Sequence, residues 1–375
     1  MPGKKSAYGT VEPSISQHVL APSNVAIYIA LFFCNVFWGG GALVSKLGIH
    51  GASPMIFELC REALSAPLML LAARAMGGKV LPDREDRLEV LLVSSFLIGA
   101  QLCFFVGLKH SSPSQCSAWQ TMLPVLTTAA STCLGRERAT WVKWLGVASA
   151  CCGALLMTFH HDSSLTSAGE EDSMSGHMFI ALQVCLGTSF IISSERVAHK
   201  YGGAALTGWV FALGSVILSV VQFSTMRSET VSGYICQDKD LVVLSRCMTG
   251  AVHIPASMIL PLLYEIVFCT MLGWCLFNWA NGHASASTVG LMMVVQPVST
   301  MTIGVLLIFI RGSQWADMFS IHLPSTVHLI GVMFILLGLS VNFVNDQVGK
   351  KAAEAEESGH IVSDADRMLQ SVQTI

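Results

Sequence analysis

Ten runs of apolar residues follow one another between residues 25 and 346, separated by short polar stretches. They read at 25–46, 54–76, 88–108, 112–134, 140–159, 177–197, 204–224, 256–281, 285–310 and 325–346. A helix needs about 20 apolar residues to cross the hydrocarbon of a bilayer, so the pattern predicts ten crossing helices. Pro-, Gly- and Ser-containing connectors such as His50-Gly51-Ala52-Ser53-Pro54 and Ser111-Ser112-Pro113 punctuate them. A polar N-terminal tail spans 1–24, a short loop 160–176, a long polar loop 225–255 and a charged, disordered tail 347–375. The first apolar run starts too late and runs too long for a signal peptide, so the first helix is expected to stay in the mature chain.

Composition sharpens this picture. Of the 375 residues, 53% are hydrophobic and 12% charged, whereas a soluble domain carries about 25% charge. The surroundings are therefore a lipid bilayer, and a net charge of −3 gives no basic field that would draw nucleic acid. On alternate sides of ten crossings, fourteen Lys and Arg fall on one face and six on the other, with Arg61 inside a crossing. By the positive-inside rule the richer side, which holds both termini, faces the cytosol. The loop 225–255 then faces outward or into a lumen, where oxidation is possible, and its Cys236 and Cys247 are either a disulfide or two free thiols. Neither a Cys-x-x-Cys pair nor a His-x-x-x-His spacing is present, so no metal site or cofactor is expected.

The chain also repeats itself. A shift of 173 residues lays Phe104-Phe105 through His110-Ser111-Ser112-Pro113-Ser114 on Phe277-Asn278 through His283-Ala284-Ser285-Ala286-Ser287, and Pro124 on Pro297. A shift of 185 lays Gly146 and Gly153 on Gly331 and Gly338, the difference of 12 being an insertion between Arg311 and Pro324. Each half, 25–159 and 177–346, thus holds five crossings, and an odd number inverts the second half relative to the first. The fold class expected is an all-α integral membrane protein of ten helices in two inverted five-helix repeats.

Trp38-Gly39 leading to Lys46, Pro54 to Arg61, Gly107-Leu108-Lys109-His110-Ser111-Ser112-Pro113, Leu123-Pro124-Val125, Gly135-Arg136-Glu137 and the spaced Gly146 and Gly153 resemble the EamA domain of the drug/metabolite transporter superfamily. The second half repeats it with Asn278-Trp279-Ala280, Ser285-Ala286-Ser287 and Gln296-Pro297-Val298. Within the superfamily, the first half is most similar to the plant WAT1-related exporters. The chain departs from the repeat at Glu137, whose counterpart is Ile310. The resemblance implies ten helices around a central cavity, alternating access and a small polar organic substrate.

Ionisable groups inside a crossing are costly and hence candidates for function. Glu58, Arg61 and Glu62 share one helical face. There Arg61 either holds an anionic substrate group or forms a permanent internal pair with a carboxylate. Glu265 has no basic residue within a turn, which suits proton coupling or a cationic substrate; the alternative is an idle Glu at the membrane surface. Neutral stripes Asn35, Trp38, Ala42, Ser45 and Thr288, Met292, Gln296, Ser299 point either to a cavity or to helix contacts. Gln101, Trp119, Gln120, Gln183 and Asn278 join them on the same terms. Trp209 reads as an interfacial anchor. Pro124 and Pro297 are candidate kinks or gates.

The function expected is a secondary transporter, with export as the favoured direction, for amino-acid-like or weakly charged metabolites. The alternatives are an organellar exchanger of nucleotide sugars or sugar phosphates and, from another class, a non-transporting receptor or scaffold. Bis-anionic substrates favour several cavity cations, and only Arg61 lies well inside a crossing. No HExxH, GxSxG or Walker pattern marks an enzyme. Plasma and organelle membranes are both compatible with the sequence, and a homodimer stays open.

Overall fold

The computed structural model describes residues 22–49, 53–110, 122–136, 140–159, 174–225, 255–311 and 329–345, with isolated positions including Cys116, Trp119 and Gln120. Cys236, Cys247 and Glu137 lie outside the described residues. Everything described is helix or connection: α1 (Asn24–Ile49), α2 (Pro54–Ala75), α3 (Arg87–Lys109), α4 (Met122–Cys133), α5 (Trp141–Phe159), α6 (Met174–Tyr201) and α7 (Gly203–Thr225) come first. Then come α8 (Ala256–Asn281), α9 (Ala286–Ile310) and α10 (Leu329–Asn345). Among the described residues, α1, α3, α6, α7, α8 and α9 are long and apolar enough to cross a membrane.

Local chemistry sets the helix limits. Pro54 occupies the first turn of α2, where its missing N–H costs nothing, and Ser285 accepts from the backbone N–H of Thr288 at 3.3 Å to cap α9. Gly202, with φ +83°, supplies the left-handed residue that lets the chain leave α6 and re-enter α7 at once. Large apolar side chains such as Leu71, Leu145, Leu260, Phe309 and Met333 point outward. In water such a surface would aggregate, and in a bilayer it meets lipid tails of the same polarity.

Two helices are irregular, and both irregularities have a cause. In α8, Pro261 precedes a π-helical stretch, Glu265–Trp274. In α9, Pro297 has no N–H for the Met293 carbonyl, and that carbonyl accepts from Gln296 at 3.0 Å instead. The result is a tight turn at Met293–Val294 between Ala286–Met292 and Val295–Arg311. Its repeat counterpart Pro124 lies inside α4, buried near the start of that helix.

Helices meet where small residues allow it. α3 packs on α6, α2 on α7, α4 on the first part of α9, and α1 on both α8 and the second part of α9. An added Cβ at Gly153 would stand 2.9 Å from both the Ile335 nitrogen and the Phe334 Cβ, so α5 lies against the backbone of α10. Ser149 Oγ donates to the Phe334 carbonyl at 3.0 Å across the same seam. On α1, Gly39, Gly40 and Gly41 form a side-chain-free strip. Added Cβ atoms there would stand 2.6 Å from Ser299 Cβ, 2.5 Å from Tyr264 Oη and 2.8 Å from Glu265 Oε1 respectively. The glycine strip therefore brings the π-helical part of α8 and the second part of α9 onto α1.

Candidate functional site

A cavity of about 950 Å³, open mouth included, lies among α1, α2, α3, α4, α6, α8 and α9. It runs along the second halves of α1 and α3, the first half of α2, the middle of α6 and α9, and α8 from its middle to near its end. Six rings stand in its walls: Trp38, Phe104, Phe105, Phe190, Trp274 and Phe277. Trp38 holds the wall together, with its ring centroid 4.6 Å from that of Trp274 and 5.1 Å from that of Phe277. The Trp38 indole N–H donates to the Cys269 carbonyl at 3.1 Å. The π-helix thus anchors the ring from across the glycine strip.

Polar groups reach this apolar chamber from eight places in the chain: Ser45, Arg61, Gln101, Gln120, Gln183, Glu265, Gln296 and Thr300. Arg61 is 2% exposed. Its Nε donates to Glu58 at 2.8 Å, Nη1 to Thr270 Oγ1 at 3.0 Å, and Nη2 to both Glu58 and Gln101. The planar guanidinium is flanked by Phe211 at 5.1 Å and Phe105 at 5.7 Å from the ring centroids. A guanidinium has five N–H groups. These bonds leave one on Nη1 without a partner among the described residues, beside the buried and unbonded Nε2 of Gln101. Glu265, near enough to Arg61 to feel its charge, accepts from Ser45 Oγ at 2.6 Å. Gln120 Nε2 donates to Gln183 Oε1 at 3.1 Å, joining the two halves of the chain.

Of the residues singled out in the sequence, Trp38, Arg61, Gln101, Gln120, Gln183, Glu265 and Gln296 line the cavity. Glu58 sits behind Arg61 as its counter-ion. Asn35 turns back to the Leu31 carbonyl at 2.7 Å, while Ala42 and Ser45 of the same stripe line the chamber. Asn278 donates to Thr207 Oγ1 at 2.9 Å and ties α8 to α7. Trp119 donates to His177 Nδ1 at 3.0 Å, away from the lining. Met292 packs into the apolar core. The stripe expected on α9 fails there because the turn at Met293–Val294 resets its phase: Met293, Gln296 and Thr300 face the cavity, and Thr288 and Ser299 do not. Glu265 is buried nine residues into α8, not at its surface end. Trp209 is no interfacial anchor: it is buried and donates to the Val80 carbonyl at 2.7 Å.

One end of the bundle is closed by a charged clasp that the sequence reading did not foresee. Asp86, before α3, accepts from Lys200 at 2.5 Å, from Arg196 at 3.0 Å and from Tyr201 Oη. Asp83 accepts from Lys79 at 2.7 Å and from Tyr201 at 2.9 Å. The Lys79 hydrogen bond, then that of Tyr201, pulls the Asp83 carboxyl down to about 2. Hydrogen bonds from Lys200 and then Tyr201 likewise lower that of Asp86. A carboxyl whose folded pKa lies below its unfolded value stabilises the fold above the unfolded pKa, and the contribution fades as pH falls through the folded one. The stability difference between the wild type and Asp83→Asn, measured by thermal unfolding in detergent, is therefore expected to stay constant from pH 8 to about 5. It should vanish between about pH 4 and 2; a difference that already shrinks above pH 5 would contradict the clasp.

Apolar helices with lipid-facing exteriors and a central cavity define a multi-pass α-helical membrane protein. The profile of the EamA-like transporter family matches residues 25–159, so this stretch is similar to the EamA domains of the drug/metabolite transporter superfamily. The chain is similar to the uncharacterized transporter YyaM of Bacillus subtilis, 23% identical over 84% of this chain and 92% of that one. An uncharacterized transporter of Archaeoglobus fulgidus is 21% identical over 74% of this chain and 87% of that one. A WAT1-related protein of Arabidopsis thaliana is 23% identical over 52% of this chain and 60% of that one. A crystal structure with 14% identity shares the fold, with a TM-score of 0.62 over 86% of this chain and 98% of that one.

Proposed function

We propose that the protein is a secondary transporter that carries small organic metabolites, amino-acid-like or weakly charged, through this cavity by alternating access. The observation that carries the reading is the chamber itself, where polar groups from both halves of the chain converge inside a ring-lined space. Its chemistry fits a solute with two polar ends. The free N–H of Arg61 and the Gln101 amide offer donors to a carboxylate or carbonyl, and Glu265 offers an acceptor to an amine. The rings accept the apolar body between them. Among the described residues Arg61 is the one cation in the lining, and Glu58 already balances it, which disfavours sugar phosphates and nucleotide sugars.

The ten-helix inverted repeat is part of this proposal, and the helix contacts support it. Exchanging each helix for the one five places along turns the α1–α8 contact into α6–α3, and α1–α9 into α6–α4. The same exchange returns α2–α7 and α4–α9 to themselves. All of these contacts occur. With the Lys- and Arg-rich ends and both termini in the cytosol, the clasp closes the cytosolic end of the bundle and leaves the outer side as the way into the cavity. That is one end state of an alternating-access cycle, and export follows when the clasp parts. Pro297 and its counterpart Pro124 stand beside the cavity, where loosened backbone has the least to lose.

Proteoliposomes holding the purified protein and a mixed metabolite extract test the reading. Mass spectrometry of the outer medium is expected to show a defined class of solutes leaving faster than from protein-free vesicles. Equal release of every solute, with folded protein in the vesicles, would refute transport.

A further inference from the structure

We propose that Glu62, which takes no part in the cavity, binds the proton that couples transport to a pH gradient; this rests on the transporter reading. The side chain is wholly buried, and neither carboxyl oxygen has a hydrogen-bond partner among the described residues. It is nevertheless housed in a built pocket. On α7, Gly214 faces it so closely that an added Cβ would stand 2.7 Å from the carboxyl carbon and 3.0 Å from Oε1. A glycine is what that position tolerates while the acid is there. No other buried side chain in α2 has two orphaned oxygens.

The charges around it define its role. On its own helix stand Glu58 and Arg61, and the Arg61 charge is already answered by two bonds to Glu58. From α7 nothing titrates: Gly203–Thr225 holds no Asp, Glu, His, Cys, Tyr, Lys or Arg. The π-helical part of α8 brings Glu265 and Cys269, which stand around Arg61 and the cavity. From α3 comes the neutral Gln101 on Arg61, and from α1 the hydroxyl of Ser45 on Glu265. A second carboxylate beside Glu58, with no donor to receive it, is an expensive thing to hold inside a membrane. A carboxylic acid in the same place is not. Glu62 therefore carries a proton while α2 is packed on α7 as seen here. A shift of α2 against α7, when the clasp opens, brings the carboxyl to water on the other side, where it gives the proton up. The step moves one proton between water and a carboxylate and needs no other reactant. Because proton occupancy differs between the two states, a proton gradient biases the equilibrium between them.

Proteoliposomes loaded with a 13C-labelled metabolite extract separate the parts of this claim. With unlabelled extract outside at equal pH they report exchange, and with an imposed pH gradient they report drive, while a pH-sensitive dye reports proton movement. The wild type is expected to exchange, and its release should accelerate with one sign of the gradient. Glu62→Gln, which imitates the protonated acid, should keep exchange while the acceleration falls to about 1-fold. Should Glu62→Gln fail to fold, Glu62→Asp keeps a titrating group at a changed position, and its gradient-driven release should show a displaced pH profile. The proposal is overturned if Glu62→Gln follows the gradient as the wild type does, or if Glu62→Asp keeps the wild-type profile. It is equally overturned if Glu265→Gln alone loses the response, or if the wild type exchanges solutes but ignores the gradient. In those cases exchange persists and the transporter reading stands. A wild type that exchanges nothing removes both.

Discussion

Replacing Arg61 with Ala is expected to cost the protein both its stability and its transport. The 2%-exposed guanidinium closes four hydrogen bonds, and its loss leaves the 1%-exposed Glu58 as an unpaired buried charge. Breaking a buried pair from one side typically costs about 3–5 kcal/mol, so Arg61→Ala should unfold in detergent well below the wild-type temperature. The double variant Glu58→Gln/Arg61→Gln removes both charges and leaves two amides that can bond each other. It should recover most of the stability while metabolite release stays reduced by about 10- to 100-fold, the worth of a charged hydrogen bond to the solute. If the double variant regains transport along with stability, the pair is structural only and the solute does not touch it.

A second large effect is expected from filling the chamber. Gly187 on α6 lines it, and an added Cβ there would meet Leu123 at 3.6 Å and Gln183 Nε2 at 3.8 Å, ordinary contact distances with no backbone in the way. Gly187→Leu therefore has room to fold, and its branched end enters the space the solute is to occupy. The outcome expected is a thermal transition close to that of the wild type with transport all but abolished. This contrasts with the strip Gly39 to Gly41, where any side chain would press on α8 or α9 and stability would fail first.

Much of this architecture is legible in the sequence. The apolar runs 54–76, 88–108, 204–224 and 256–281 lie within one or two residues of α2, α3, α7 and α8, because a lipid-facing helix leaves a long apolar record with polar ends. Six of the seven cavity residues are legible for a related reason, since a Gln, Glu or Arg in such a run stands out; the seventh, Trp38, is legible from its place on the stripe with Ala42 and Ser45. What the sequence hides is phase and partnership. Met292 was expected at the cavity because the helix was read as continuous, but Pro297 denies Met293 its usual bond and the face rotates by a residue. Asn35 and Asn278 look the same in the sequence as Gln101, yet each finds a partner on a neighbouring turn or helix. Phe104, Phe190 and Phe277 were invisible as a wall, since an aromatic in an apolar run is ordinary until three helices bring such rings together. The clasp of Asp83 and Asp86 with Arg196 and Lys200 joins residues more than 100 positions apart, and only their shared side of the membrane was legible.

The central claim is that solutes pass through the chamber between the two halves. The most direct measurement compares metabolite release from proteoliposomes holding wild-type protein with release from vesicles holding Gly187→Leu, each matched for folded protein. The account predicts selective release by the wild type and none above protein-free vesicles for Gly187→Leu. Equal release by both proteins would contradict it, because the path would then run elsewhere.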